Sequence, residues 1–325
     1  MSKGIKISVI IPVKNGAATL ERCLKSIQAQ TVAGLLEIIV LDSGSVDNSR
    51  AIAEQSGANV IAVLPADFNH GLTRNLGAKA ASADLLFFTV QDAWLRDNDL
   101  LEKMSAHFTD TEVMGVVGHQ AVPHEMDKNP VLWFKPYSLP EITIRQFNNP
   151  EKLLALCVDD KKDIIAWDNV ISMYRHKAIE INQFAAVQMS EDWIWSYTAL
   201  QKGWKLIYDP SLIVYHYHHR SFAYSFKLVF SINYHFLEYF GFKPTILPVF
   251  LKNTKIIYHL VKNRELSWKQ KLYWIKYNIG VELGDYFSRL YFRILLFVFG
   301  RKAIEKRYNK ICNIIPQGIQ NSKHE

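Results

Sequence analysis

Leu85-Leu86-Phe87-Phe88-Thr89-Val90-Gln91-Asp92-Ala93 is an apolar run that closes on a carboxylate. A run of this kind reads as a strand buried on both faces, as in a parallel sheet. Asp92 then falls at the strand's carboxyl end, where open α/β sheets keep their chemistry. Three similar strand-to-loop junctions precede it. Ile7 to Val13 ends in Pro12-Val13-Lys14-Asn15-Gly16, Glu37 to Asp42 ends in Asp42-Ser43-Gly44-Ser45, and Asn59 to Leu64 leads into Asp67-Phe68-Asn69-His70-Gly71. After the first strand Leu20, Cys23, Leu24 and Ile27 keep helical spacing, and after the fourth Leu100, Leu101, Met104 and Phe108 do the same. The alternation predicts parallel strands joined by right-handed crossovers, a doubly wound sheet with all four junctions on one rim.

The bulk composition sets limits around that sheet. With 325 residues, 49% of them hydrophobic, the chain can bury a large core. Cys23, Cys157 and Cys312 are too few and too scattered for a disulfide framework or a zinc cluster, which fits a reducing compartment. The start, Met1 to Lys6, shows no secretory signal, and no apolar run approaches the ~20 residues that span a bilayer. The expected location is the cytoplasm, peripheral to the inner face of the membrane. The net charge is +7, but Leu251 to Glu325 hold 15 Lys and Arg against 5 Asp and Glu, so residues 1–250 sum to −3. In that tail aromatic and aliphatic residues such as Trp268, Trp274, Phe287 and Ile294 to Phe299 interleave with Lys269, Lys271, Arg289, Arg293, Arg301 and Lys302. A basic, aromatic-rich helix suits an anionic membrane surface; a helical packing arm with solvated charges fits the composition nearly as well. No nucleic-acid recognition motif accompanies the charge, so nucleic acid is not an expected partner. Oligomeric state leaves no signal in the sequence.

Beyond the fourth strand the order is read as follows. Prolines 123, 130, 136, 140 and 150 punctuate residues 123–163, which predicts irregular loops over one rim. Ile164 to Tyr174 reads as a strand and Glu191 to Lys202 as a helix stopped by Gly203. Trp204 to Tyr217 reads as an extended pair broken at Asp209-Pro210, and everything after Ser221 as helical.

The first junction lacks the Gly-x-Gly-x-x-Gly fingerprint, which removes the main support for a dinucleotide oxidoreductase. What remains is a set of acidic sites, Asp42, Asp92 and the pair Glu191-Asp192, and a later cluster, His216, His218 and His219. The run Ser8 to Gly16, then Leu41-Asp42-Ser43-Gly44-Ser45, Phe68-Asn69-His70-Gly71-Leu72-Thr73-Arg74-Asn75, Gln91-Asp92-Ala93 and Glu191-Asp192, in that order, resembles a family 2 glycosyltransferase of the GT-A fold. Phe-Asn-His-Gly and Gln-Asp-Ala together are most similar to its rhamnosyltransferase branch.

The resemblance implies a GT-A type, mostly parallel α/β sheet with a C-terminal helical extension. Residues 1–122 would form the nucleotide-sugar half, 123–220 the acceptor-binding and catalytic half, and 221–325 the basic aromatic extension. It further implies inverting transfer from a dTDP- or UDP-linked sugar to a hydroxyl, with dTDP-rhamnose as donor and a surface polysaccharide or lipid-linked glycan as acceptor. UDP-galactose, UDP-glucose and UDP-N-acetylglucosamine stay open as donors, and a non-catalytic carbohydrate-binding protein is the rival of another class. Pro12, Asn15, Asp42, Ser43, His70, Gly71, Arg74, Asn75 and Gln91 are placed at the nucleotide. Asp42 suits the ring N–H of uracil or thymine, and Arg74, one turn into a helix, suits a phosphate or ribose oxygen. A departing diphosphate needs a divalent cation, Mg or Mn, held at Asp92. Where most of the family has Asp-x-Asp this chain has Val90-Gln91-Asp92, so His216 or His218, on one face if the segment is extended, would complete the shell. Asp192 is implied as general base, with Glu191 orienting it or holding the acceptor.

Overall fold

A computed structural model describes residues 6–32, 36–132, 141–246 and 249–312. Its first unit lies within 1–121 and 136–217, and the second within 122–135 and 218–316. The first unit runs β1 (Ile7–Val13), α1 (Leu20–Gln28), β2 (Leu36–Asp42), α2 (Ser49–Gln55), β3 (Asn59–Ala62), α3 (His70–Ala80), β4 (Leu85–Phe88), β5 (Trp94–Leu95), α4 (Leu100–Ala106) and β6 (Val113–Ala121). It continues through β7 (Thr143–Arg145), α5 (Pro150–Ala155), α6 (Val158–Ile165), β8 (Ser172–Arg175), α7 (His176–Ile181), α8 (Glu191–Gln201) and β9 (Lys205–Tyr215). The second unit is built on α9 (Phe222–Phe240), α10 (Val249–Lys262) and α11 (Trp268–Cys312).

Among the described residues nine strands join one sheet in the order β3-β2-β1-β4-β8-β6-β9-β5, with β7 on β9. β3, β2, β1 and β4 pair in parallel, β6 and β9 pair in parallel, and β8 is antiparallel to both β4 and β6, so six strands share one direction. The sheet is therefore mostly parallel, as expected. β2 and β4 flank β1 on opposite sides, so the crossovers diverge there and open a crevice beyond the strand ends. Asn15, after β1, and Asp92, after β4, stand at that switch point.

The core explains why these segments are strands. Ile7, Val9, Ile11, Val40, Phe87 and Met173 are fully buried, and Leu20, Cys23, Leu24 and Ile27 bring α1 onto the same cluster. Gly77 lets α3 lie close to the sheet, because a Cβ there would stand 2.5 Å from Ile10 and 2.8 Å from Leu41.

Three readings of the middle of the chain change. Residues 123–163 are not all loop, since they contain β7, α5 and most of α6. The short helices are capped locally: Asn149 accepts from the Glu151 amide and Cys157 from that of Asp160, and Pro150 opens α5 at a position where proline is tolerated. The strand expected over 164–174 is Ser172–Arg175, because Val158–Ile165 winds into α6 first. Instead of the broken pair expected over Trp204 to Tyr217 there is one strand, β9 (Lys205–Tyr215), and Pro210 is accommodated where the β6 register shifts between Val117 and His119. Among the described residues, no helix is long and apolar enough to cross a membrane.

Candidate active site

Side-chain-to-backbone hydrogen bonds lace the rim at the ends of β1, β2 and β4. Asn15, at φ 50°, accepts from the Val46 amide at 2.9 Å, while its own N–H donates to Ser45 Oγ at 2.9 Å. The Gly16 amide donates to Ser49 Oγ at 2.7 Å, and the Ser43 hydroxyl to the Val13 carbonyl at 2.9 Å. Pro12 is half-buried in β1. Asp42 is buried and accepts from the Ser45 amide at 3.1 Å. Gln91 spends both ends of its amide on the loop after β1, accepting from Lys14 N–H at 2.8 Å and donating to Lys14 C=O at 3.1 Å.

The helix α3 is turned toward the acidic pair. Asn69 caps it, accepting from the amides of Gly71 at 3.0 Å and Leu72 at 3.1 Å. One turn on, Arg74 Nη1 lies 2.8 Å from Glu191 Oε1, and both side chains are only 6% exposed. The same guanidinium nitrogen stands 3.3 Å from His70 Nδ1, and burial pushes the His70 imidazole down to about 4. Asn75 clamps the backbone of Phe184, donating to its carbonyl at 2.9 Å and accepting from its amide at 3.0 Å. Gly71 has the next residue pressed against it: a Cβ would stand 1.8 Å from the Ala185 carbonyl oxygen. The segment so held runs to Ser190, a left-handed residue at φ 65°, and then into α8.

Glu191 and Asp192 open α8 with opposite electrostatic fates. Burial disfavours charge on Glu191, but Arg74, then His70, outweigh it and hold the carboxyl below the ordinary range. Asp192 is half-buried and accepts from the Trp193 amide at 2.8 Å. Burial, then the charges of Glu191 and Asp168, push it well above the ordinary range. Two adjacent carboxyls whose environments drive their pKa values apart are a mark of divided roles.

At the other side of the rim Asp92 is buried, with Oδ2 3.3 Å from His216 Nε2. One ligand atom from each of Asp92, His216 and His218 lies within 4.8 Å of the others. One carboxylate oxygen and two imidazole nitrogens form a mixed donor set of a kind that fits a divalent first-row cation.

Two residues not singled out from the sequence complete the picture. Asp168 accepts from Gln120 Nε2 at 2.9 Å and from the Val170 amide at 2.9 Å; burial raises its pKa, which His216 and Arg74 lower and Glu191 raises. Asn169 donates to Glu191 Oε1 at 3.2 Å and accepts from the Tyr174 hydroxyl at 2.6 Å. Asp168 thus stands within electrostatic reach of His216 on one side and of the Arg74–Glu191–Asp192 group on the other. The signal for this loop is Trp167-Asp168-Asn169, three side chains with polar groups inside a stretch read as a strand.

The glycosyl transferase family 2 profile matches residues 8–160. The O-antigen chain rhamnosyltransferase RfbN of Salmonella typhimurium is 31% identical over 225 residues, covering 66% of this chain and 67% of its own. WbaN of Salmonella anatum, also an O-antigen chain rhamnosyltransferase, is 30% identical over 232 residues, 69% of this chain and 70% of its own. Among solved structures, S. aureus TarS with UDP-GlcNAc superposes at TM-score 0.52 and 16% identity over 95% of this chain and 91% of that one. The mannosyltransferase PcManGT from Pyrobaculum calidifontis, in complex with GDP-Man and Mn2+, reaches 0.51 and 13% over 97% and 85%. At those identities the structural likeness speaks for the fold.

Proposed function

The chain belongs to glycosyl transferase family 2 and is a glycosyltransferase of the GT-A fold; from that premise we propose that it moves L-rhamnose from dTDP-rhamnose onto a hydroxyl of a growing surface polysaccharide or lipid-linked glycan, with inversion. The observation that carries the reading is the pairing of a half-buried, electrostatically raised carboxyl, Asp192, with a carboxylate–imidazole cluster at Asp92 and His216, Asp168 feeling the charges of both. The rhamnosyl donor rests on the two O-antigen rhamnosyltransferases at about 30% identity.

Asp92, His216 and His218 would hold a Mg or Mn ion. Bound there, it supplies Lewis-acid stabilisation of the charge that grows on a departing diphosphate. Asp42, buried at the end of β2, would accept from the pyrimidine ring N–H, and the Asn15–Ser43–Gln91 rim would shape the nucleotide side of the crevice. Asp192 Oδ would take the acceptor's hydroxyl proton as that oxygen attacks the anomeric carbon from the face opposite the diphosphate. Glu191 serves this step electrostatically, since a carboxylate kept charged by Arg74 raises the basicity of its neighbour. The basic, aromatic second unit would keep the enzyme at the inner face of a membrane carrying the acceptor.

Titrating the protein with dTDP-rhamnose, UDP-glucose, UDP-galactose and UDP-N-acetylglucosamine, with and without Mn2+, tests the reading. Cation-dependent binding that favours dTDP-rhamnose is expected; tight binding of a UDP-hexose with indifference to dTDP-rhamnose rejects the rhamnosyl assignment. Binding of glycan without turnover of any nucleotide sugar would leave a non-catalytic carbohydrate-binding protein.

A further inference from the structure

The second unit ends in a helical elbow with an apolar tip. α11 is a helix only up to Phe299; Gly300, at φ 73° and ψ −172°, breaks it and a further helical stretch runs to Cys312. Both arms pack on the same small core. Phe292 before the bend and Ile304, Tyr308 and Ile311 after it are buried with Phe230 and Leu237 of α9. The bend itself leaves that core: Phe297 is 92% exposed, Val298 58% and Phe299 66%, with Ile294 one turn earlier at 49%.

Successive helical residues are 100° apart, so Phe297, Val298 and Phe299 fan over about 200° of the helix circumference. A partner helix or groove covers a stripe of roughly 100°. It would leave at least one of the three in water, whereas a fluid interface wets a protruding tip from all sides. The charge around the elbow has one sign. Arg293, Arg301, Lys302, Lys306 and Lys310 are exposed and Arg307 half-buried, against Glu305 as the single acid between residues 293 and 312. Cations ringing an apolar tip fit a surface that is anionic at headgroup depth and hydrocarbon beneath it.

We propose that the Phe297–Phe299 elbow is a membrane wedge, which inserts its three side chains at the acyl boundary of an anionic leaflet while Arg293, Arg301 and Lys302 lie among the headgroups. This names the structural element behind the membrane-surface part of the proposed function and rests on that part alone. Gly300 is what makes the wedge possible, because its backbone region is open essentially only to glycine and no atom lies within 4 Å of a Cβ placed there.

The test is co-sedimentation of the full chain with vesicles of phosphatidylcholine containing about one-third phosphatidylglycerol. Replacing Phe297→Ser together with Phe299→Ser is expected to lower partitioning at least about tenfold. Arg301→Gln with Lys302→Gln is expected to lower it by a similar factor at low salt, and to have little further effect in high salt or on pure phosphatidylcholine. All the substituted side chains are exposed, so melting temperature and nucleotide-sugar turnover with a short water-soluble acceptor should stay at wild-type values; this separates loss of the wedge from failure of the glycosyltransferase reading. Undiminished vesicle binding by the phenylalanine variant overturns the proposal. So does a wild-type protein that ignores vesicles but forms a dimer which that variant dissolves, an outcome that assigns the tip to a second copy.

Discussion

Arg74→Met probes the centre of the proposed site. The Arg74–Glu191 pair is nearly shielded from water at 6% exposure on each side and closes at 2.8 Å. Removing one partner of such a pair costs about 3–5 kcal/mol when the other stays charged, which would lower Tm by roughly 6–20 °C. The cost must depend on pH. In the native protein the folded pKa of Glu191 lies below its unfolded value, so its contribution is present above the unfolded pKa and lost as pH falls through the folded one. Without Arg74, burial is opposed mainly by His70 and the carboxyl's folded pKa rises above the unfolded value. Its contribution is then present in acid and lost as pH rises. The surrounding groups act in the same direction, because Arg74 also lowers the pKa values of Asp168, Asp192 and His70.

The stability gap between wild type and Arg74→Met should therefore be smaller near pH 4.5 and approach its full size near pH 7.5, read by urea unfolding at the two pH values. Adding Glu191→Gln to Arg74→Met should restore most of the loss at pH 7.5, since no buried charge is then left alone. An equal loss at both pH values, or a double variant no more stable than the single one, would refute the electrostatic account and leave only lost packing.

Other expectations follow from the same geometry. Asp192→Asn should lower kcat by about 10²–10⁴ with the fold intact by circular dichroism; in the wild type kcat should rise with pH through an acid limb lying above the usual carboxylate range, because Asp192 acts only when deprotonated, and Glu191→Gln should move that limb to lower pH. Asp92→Ala and His216→Ala should each weaken Mn2+ binding, followed by isothermal titration without nucleotide, at least about tenfold; unchanged binding in both would remove the cluster from consideration as a metal site. Gly71→Ala forces a methyl group into the Ala185 carbonyl, so it should lose about 1–3 kcal/mol of stability in thermal unfolding.

The parallel half of the fold was legible because each strand there is a short apolar run that ends abruptly in a polar junction, and because α1 repeats its apolar face at helical spacing. The junctions at Asn15, Asp42 and Asp92 could be placed on one rim from topology alone, and the sheet order puts the first and last of them at the switch point. The stretch from 123 to 175 was less legible. In α6, Val158-Asp159-Asp160-Lys161-Lys162-Asp163 has too few apolar residues to show a helical period, and its cap is a cysteine, Cys157, not one of the usual capping residues. Its misreading also hid Asp168 and Asn169, which sit in the turn between that helix and β8 and looked like polar interruptions of a strand.

The residues from His70 to Asn75 show why side-chain roles were harder to read than positions. From sequence they point to a nucleotide, because a glycine, a helix start and an arginine suit an anion. In the fold the side chain of Arg74 goes to Glu191, that of Asn75 to the Phe184 backbone, and Gly71 admits the Ala185 carbonyl. All three contacts fix the segment that delivers Asp192, and none can be inferred from spacing because their partners lie about 110 residues further on or more. The motif thus has a physical reason to retain these residue types apart from any ligand: it sets both the position of the proposed base and, through Glu191, its basicity. A substitution there should disturb proton abstraction and sugar-nucleotide binding together. The two effects separate only when the altered residue, like Asp192, makes none of the contacts that bind α3 to α8.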